Sequence, residues 1–136
     1  MRPLNALVIS GREVLPLVEG GKGISVSNGE SSGAWAAAGG VGTFSGVNAD
    51  SYGPNGEPIP QLYRGRTRRE RHEELIRYAI AGGIEQARVA WERAGGQGRI
   101  HMNVLWEMAV PSAIVPLKAM LPDLSTWAEP KLSPPG

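Results

Sequence analysis

The chain has 136 residues, of which 41% are hydrophobic and 20% are charged, and it contains no cysteine. This composition is typical of one soluble globular unit, and it excludes disulfide frameworks and cysteine-based catalytic or zinc sites. The formal net charge of +1 gives no overall field for holding nucleic acid or an anionic membrane.

The N-terminal region predicts no export or membrane signal. The first ten residues, MRPLNALVIS, include one arginine and a proline but no apolar core followed by a cleavage site. No apolar run in the sequence approaches the roughly 20 residues that cross a bilayer. We therefore predict a cytoplasmic protein.

The first half of the chain predicts a strand, a helix and a second strand. Residues 14–18 (VLPLV) are a short apolar run followed by glycines, typical of a strand buried on both faces of a parallel sheet. Ser27 and Glu30 have the spacing of a capping box, which places a short helix over residues 31–38. Residues 41–45 (VGTFS) then predict the second strand.

A long loop and a long helical region follow. Residues 46–66 are rich in turn residues, and loops of this length often act as lids or binding loops. Thr67 and Glu70 form a second capping box that opens a helix with an apolar stripe. The glycine pair 82–83 should break or kink this helix. Residues 100–106 (IHMNVLW) predict the third strand.

The alternation of strands and helices predicts a parallel α/β sheet with helices outside it. Three strands neither close a barrel nor complete a doubly wound sheet, so the third strand should form an open edge. After residue 108 the prolines recur every few residues, which prevents a long helix or central strand. We predict a partial α/β domain over residues 1–108 and an irregular, Pro-rich tail over residues 109–136.

Candidate binding residues lie where the predicted strands end. Gly20, Gly21 and Lys22 follow the first strand, where ligands bind in parallel α/β folds, although a tight turn without a ligand fits equally well. Asn103 is a lone amide in an apolar strand and needs hydrogen-bond partners. With only two histidines, a histidine-built metal site is not expected.

An arginine cluster precedes and opens the long helix. A phosphate or RNA-binding role is one interpretation, but the interleaved glutamates favour a solvated helix start with local ion pairs such as Arg69–Glu73. The arginines concerned are Arg64, Arg66, Arg68, Arg69 and Arg71.

Three strings in the sequence resemble motifs of a known family. VLPLVEGGKG, WAAAGGVGTFSGVN and IHMNVLWEM occur in this order, and the chain resembles the N-terminal part of the nitronate monooxygenase (2-nitropropane dioxygenase-like) flavoproteins. Enoyl-acyl carrier protein reductase II enzymes share the pattern. The resemblance spans about residues 10–108. It implies the N-terminal βαβαβ portion of a TIM (β/α)8 barrel that binds FMN at the carboxyl ends of its strands.

The resemblance also implies a set of cofactor-binding residues. The turn after the first strand lies against the isoalloxazine ring in this family, which usually has methionine where this chain has lysine. A GGxG motif opens the second strand, and an asparagine of the third strand points toward the flavin. The matching positions here are Gly20, Gly21, Lys22, Gly40, Gly42 and Asn103. A plain helix cap is the alternative for the glycine pair 39–40.

The implied reaction is the oxidation of an alkyl nitronate by FMN, with O2 as the electron acceptor. The catalytic histidine and the phosphate-binding loops of the family lie later in the barrel. No catalytic residue is therefore assigned to this chain, which we expect to be inactive by itself. Two alternatives remain open: a noncatalytic α/β binding module that uses the loop 46–66, and an RNA-binding element that uses the arginine cluster.

Overall fold

The computed structural model describes residues 4–23, 26–46 and 49–103, together with the backbone of residues 125–126. These residues form a mixed α/β structure with two helices and two small sheets. In chain order the elements are β1 (Leu7–Ile9), β2 (Arg12–Val14), α1 (Gly29–Ala37), β3 (Val41–Ser45), α2 (Arg68–Ala94), β4 (Arg99–Asn103) and β5 (Ser125–Thr126). The predicted boundary at residue 108 lies outside the described residues.

The larger sheet is parallel and has the order β3-β4-β5. Thr43 of β3 is paired with His101 of β4, and His101 is in turn paired with Ser125 of β5. The prediction that the third strand forms an open edge was therefore wrong, because two residues of the Pro-rich tail extend the sheet beside it. β5 is short, as expected for a segment between prolines.

The segment 15–19 runs parallel to β3 but is not the buried strand that its apolar sequence predicted. Leu17 and Glu19 exchange backbone hydrogen bonds of 2.8 Å with Val41, and one β-bridge joins Val18 to Val41. Leu17 and Val18 are 45% and 44% exposed. Two causes explain the difference: Pro16 has no N–H for a ladder, and no strand covers the other side among the described residues.

An N-terminal hairpin, β1–β2, was not predicted. Its two-residue turn, Ser10-Gly11, has positive φ at both positions (48° and 76°), as the tight turns of hairpins with matching twist require. Two arginines fix the hairpin to the amino ends of the parallel strands. Arg99 donates to the carbonyls of Ile9 and Ser10, and Arg12 donates to the loop before β4.

Helix α1 begins two residues earlier than predicted. Asn28, not Ser27, is the N-cap: its side chain accepts from the amide of Ser31, and the Ser31 hydroxyl accepts from the amide of Asn28. These two reciprocal hydrogen bonds form a capping box. Ser27 is thereby free for a different role, described below.

Helix α2 runs without interruption from Arg68 to Ala94. Its predicted capping box, Thr67 with Glu70, is confirmed, and its C-cap Gly95 is left-handed. The predicted break at the glycine pair 82–83 was wrong. Both glycines are buried, and a Cβ at Gly82 would overlap the backbone carbonyl of Ala49. Gly82 therefore permits close packing of the loop on the helix, which compensates for its low helix propensity.

The hydrophobic core lies between one face of the larger sheet and the two helices. Phe44, Ile100 and Met102 project from the sheet into a layer of small helical residues, Ala36, Ala87, Ala90 and Ala94. The alternate positions of the strands face the other way. These positions are buried and largely polar: Thr43, Ser45, Arg99 and His101.

Candidate functional site

The turn Gly20–Lys22 and Asn103 meet at the carboxyl edge of the parallel strands. The turn follows the segment 15–19, and Asn103 is the last residue of β4. A Cβ at Gly21 would lie 2.8 Å from Nδ2 of Asn103, so the bare backbone of Gly21 makes room for this amide. Nothing lies within 4 Å of the corresponding position at Gly20. The structure thus brings four of the six predicted cofactor-binding residues together.

The remaining two, Gly40 and Gly42, lie elsewhere, just before β3 and within it. Gly40 precedes the amino end of β3, where a Cβ would lie 2.7 Å from the carbonyl of Leu17. A Cβ at Gly42 would overlap the backbone of Ser32 in α1. Close packing against neighbouring backbone accounts for both glycines. Their role in cofactor binding stays a prediction.

Glu19 is a buried carboxylate at the base of the turn. The residue is only 7% exposed, and its Oε2 accepts a 3.0 Å hydrogen bond from the backbone amide of Thr43. In a continued parallel ladder this amide would bond to a backbone carbonyl. The carboxylate therefore takes the place of that backbone carbonyl at the point where the chain leaves β3 and turns.

Ser27 holds the other end of the turn. Its hydroxyl, fully buried, accepts from the amide of Lys22 at 2.9 Å and donates to the carbonyl of Lys22 at 3.0 Å. The carbonyl of Ser27 in turn accepts from the amide of Ser45 in β3, at 2.9 Å. The turn is thus attached to β3 on both sides.

Two titratable or polar side chains lie on the polar face of the sheet below this edge. Burial, followed by the nearby positive charge of Arg99, lowers the pKa of His101. The hydroxyl of Thr43, in register with His101, is buried and has no hydrogen-bond partner in the described part of the chain. Both effects on the pKa favour the neutral imidazole of His101, which suits a hydrogen-bonding role.

The loop after β3 is attached to α2 by side chains that bind its backbone. The Glu74 carboxylate accepts from the amides of Arg64 and Gly65, and the Tyr78 hydroxyl bonds to both the amide and the carbonyl of Leu62. Gln86, which is buried, links the amide of Gly29 to the carbonyl of Asp50. This part of the loop is packed against the helix.

A cavity lies between this loop and the helices. It has a volume of about 460 Å³ and is lined by Tyr52, Gly53, Pro54 and Gly56 of the loop, together with Glu30, Glu85, Arg88 and Val89. Arg88 is paired with both Glu85 and Glu92 at 2.6 Å, so its charge is already compensated.

The arginine cluster is surrounded by acidic side chains with defined partners. Arg69 forms the expected ion pair with Glu73, at 3.2 Å. Arg71 donates to the carbonyl of Gly65. The backbone amides of Thr67 and Arg66 donate to Glu70 and lower its pKa. These contacts are those of a solvated helix start.

The described residues offer neither a metal-binding cluster nor a membrane-spanning helix. Among the residues that the structure describes, no group of three or more histidine and carboxylate side chains could hold a metal ion. Neither helix in that part of the chain is long and apolar enough to span a membrane. Comparison of the chain with models of known protein families, with curated proteins and with solved structures gave no match.

Sequence reasoning missed Glu19 and gave Ser27 the wrong role. A signal for Glu19 was present: an acidic residue directly after an apolar run and before two glycines must find a partner if it is buried. The predicted capping box at Ser27 overlooked that the neighbouring Asn28 is also a residue type that caps helices, and the three-dimensional contacts show Asn28 in this role.

Proposed function

We propose that this chain carries the N-terminal βαβαβ portion of a TIM-type barrel that binds FMN at the carboxyl ends of its strands. The supporting observation is the meeting of the Gly20–Lys22 turn with Asn103 at one edge of a parallel arrangement. The segment 15–19, β3 and β4 lie side by side in chain order, and α1 and α2 connect them. FMN is the cofactor that the sequence resemblance to nitronate monooxygenases implies.

The residues at this edge fit a flat aromatic cofactor. Gly20 presents backbone without a side chain and the space beside it is open, while the Asn103 side chain lies against Gly21. The Asn103 amide can both donate to and accept from the polar edge of a ring. The exposed Lys22 follows in the same turn, and its positive charge would favour an anionic ligand or substrate.

In the proposed enzyme the cofactor supplies the redox chemistry, the oxidation of an alkyl nitronate with transfer of the electrons to O2. The contribution of the residues described here is binding and orientation. Because the family's catalytic histidine belongs to a later part of the barrel, we propose that these residues alone do not turn over nitronate.

FMN reconstitution tests this proposal. We expect the purified chain to retain bound flavin, with its absorbance band at about 450 nm, and to melt at a higher temperature when FMN is added, since a ligand that binds only the native state stabilises it. Asn103→Ala should weaken FMN binding about tenfold, equivalent to ~1.4 kcal/mol, a typical value for one lost hydrogen bond. Asn55→Ala, which removes an exposed loop amide, is the matched control and should bind as the wild type does.

The two alternatives to a flavin site predict different results. A colourless chain that folds cooperatively and shows no thermal shift with FMN contradicts the flavin site. It supports the alternative of a noncatalytic binding module that uses the loop 46–66. Tight RNA binding that weakens steeply with salt would instead support a role for the arginine cluster.

A further inference from the structure

Two buried polar side chains that the resemblance does not assign hold the candidate cofactor turn from both ends. We propose that Glu19 and Ser27 are positioning residues that fix the Gly20–Lys22 turn in one conformation against β3 and thereby set its affinity for the cofactor. The part of this inference that concerns FMN rests on the proposed function.

We call Glu19 and Ser27, with their hydrogen bonds to the turn and to β3, the clamp. Glu19 is its first half. Its own amide donates to the carbonyl of Val41, so the backbone is still in the ladder at residue 19. One step further along β3, the amide of Thr43 is bound by the Glu19 carboxylate at 3.0 Å. The backbone of Gly20 and Gly21 is therefore released from pairing without leaving a buried amide unsatisfied, and unsatisfied amides of this kind are costly.

Ser27 is the second half. Its hydroxyl forms two hydrogen bonds to the backbone of Lys22, which closes the turn, and its carbonyl is attached to the amide of Ser45. Thr43 and Ser45 are alternate residues of the same strand, so both halves of the clamp use one rigid support.

The clamp matters because glycines do not hold a conformation by themselves. Gly20 and Gly21 lose more backbone freedom on ordering than any other residue type. If the free turn sampled many conformations, the cofactor would bind only one of them. Its apparent affinity would then fall in proportion to the fraction of molecules in that conformation. The hydrogen bonds of Glu19 and Ser27 provide this ordering before the ligand arrives.

Amide hydrogen exchange without any cofactor tests the clamp itself. In Glu19→Ala we expect the Thr43 amide to exchange at least tenfold faster than in the wild type, and in Ser27→Ala we expect the same for the Lys22 amide. Glu19→Gln keeps one acceptor oxygen and should restore protection of Thr43. Unchanged exchange of both amides in the alanine variants would overturn the inference.

FMN titration of the same variants tests the consequence. Glu19→Ala and Ser27→Ala should each raise the Kd for FMN about tenfold, whereas Glu19→Gln should stay close to the wild type. Tyr78→Phe removes the hydroxyl that binds the backbone of Leu62 in the loop before α2; it should lower the melting temperature and leave the Kd unchanged. Alanine variants with faster exchange but wild-type Kd values would disprove the link to affinity.

The two proposals fail in different ways. A wild-type chain that does not bind FMN contradicts the proposed function, while the exchange of Thr43 and Lys22 still decides whether the clamp orders the turn. If Glu19→Ala does not fold, Ser27→Ala and Glu19→Gln carry the comparison, because each makes a smaller change in side-chain volume.

Discussion

His101 shows how the surroundings of one residue set its chemistry. It lies on the polar face of β4, 4% exposed, one strand away from Thr43 and two residues along β4 from Arg99. Burial and the Arg99 charge both disfavour its protonated form and lower its pKa. Its neighbour Met102 points into the apolar core instead. The alternation of a strand therefore separates a titratable side chain from an apolar one at consecutive positions.

Stability should depend on pH through His101. Because the folded-state pKa is lowered, the unfolded chain binds a proton first as the pH falls below the ordinary histidine value of about 6.5. We therefore expect the full stabilisation above that pH and a loss between it and the folded-state pKa. For one proton the slope cannot exceed about 1.4 kcal/mol per pH unit.

Urea unfolding between pH 5 and 8 measures this effect. Glu70 and Glu85 also have lowered pKa values, but their contributions are lost only at more acidic pH, below the ordinary range of glutamate. His101→Gln should flatten the curve between pH 5 and 7. An unchanged slope in this variant would assign the pH dependence to another group.

At the scale of elements, glycines determine how closely α1 can approach its neighbours. Gly29 and Gly33 of α1 lie against the backbone of α2, and Gly42 of β3 lies against the backbone of α1. In each case an added Cβ would meet the backbone of the facing element, which cannot move as a flexible side chain can. Small residues at these contacts allow the elements to pack at short distance, and the alanine-rich core layer continues the same principle.

The contact of α1 with β3 can be tested by Gly42→Ala. A methyl group here would overlap the Ser32 carbonyl, and we expect the free energy of unfolding to fall by about 1–3 kcal/mol, the usual cost of overpacking. Gly23→Ala is the matched control, because nothing lies within 4 Å of its Cβ position. Denaturant unfolding of both variants gives the comparison; equal stabilities would show that α1 can shift without cost.

At the scale of the whole molecule, the parallel arrangement ends at the segment 15–18. Leu15, Leu17 and Val18 are between 38% and 45% exposed, and nothing in the described part of the chain pairs with their outer side. Leu7 and Val8 of the nearby hairpin β1–β2 are also exposed, at 46% and 73%. An exposed edge of this kind with apolar side chains promotes association with another chain.

We therefore expect the chain to self-associate as its concentration rises and Leu17→Lys to reduce this association. Ile59→Lys is the matched control: Ile59 is exposed to a similar degree, 47% against 45%, but it lies in the loop before α2. Sedimentation velocity over a concentration series is the measurement. A wild-type chain that stays monomeric, or an equal effect of both lysines, would contradict the role of this edge.

The sequence by itself determined the elements whose signals are local. The capping box at Thr67 and Glu70, the strand at residues 41–45 and the alternation of strands and helices all depend on neighbours in the chain. These features follow from short-range hydrogen bonds and from periodicity, which a single sequence displays.

Only the tertiary structure decided the features that depend on distant partners. Gly82 remains helical with the loop packed against it, and Leu15, Leu17 and Val18 are exposed because no strand among the described residues covers them. Of the glycines predicted to bind a cofactor, Gly21 meets Asn103, whereas Gly42 meets α1. Glu19 and Ser27 acquire their roles from amides of β3 more than fifteen residues away. The burial of a polar group is a property of the assembled fold, so its partner cannot be read from the residues beside it.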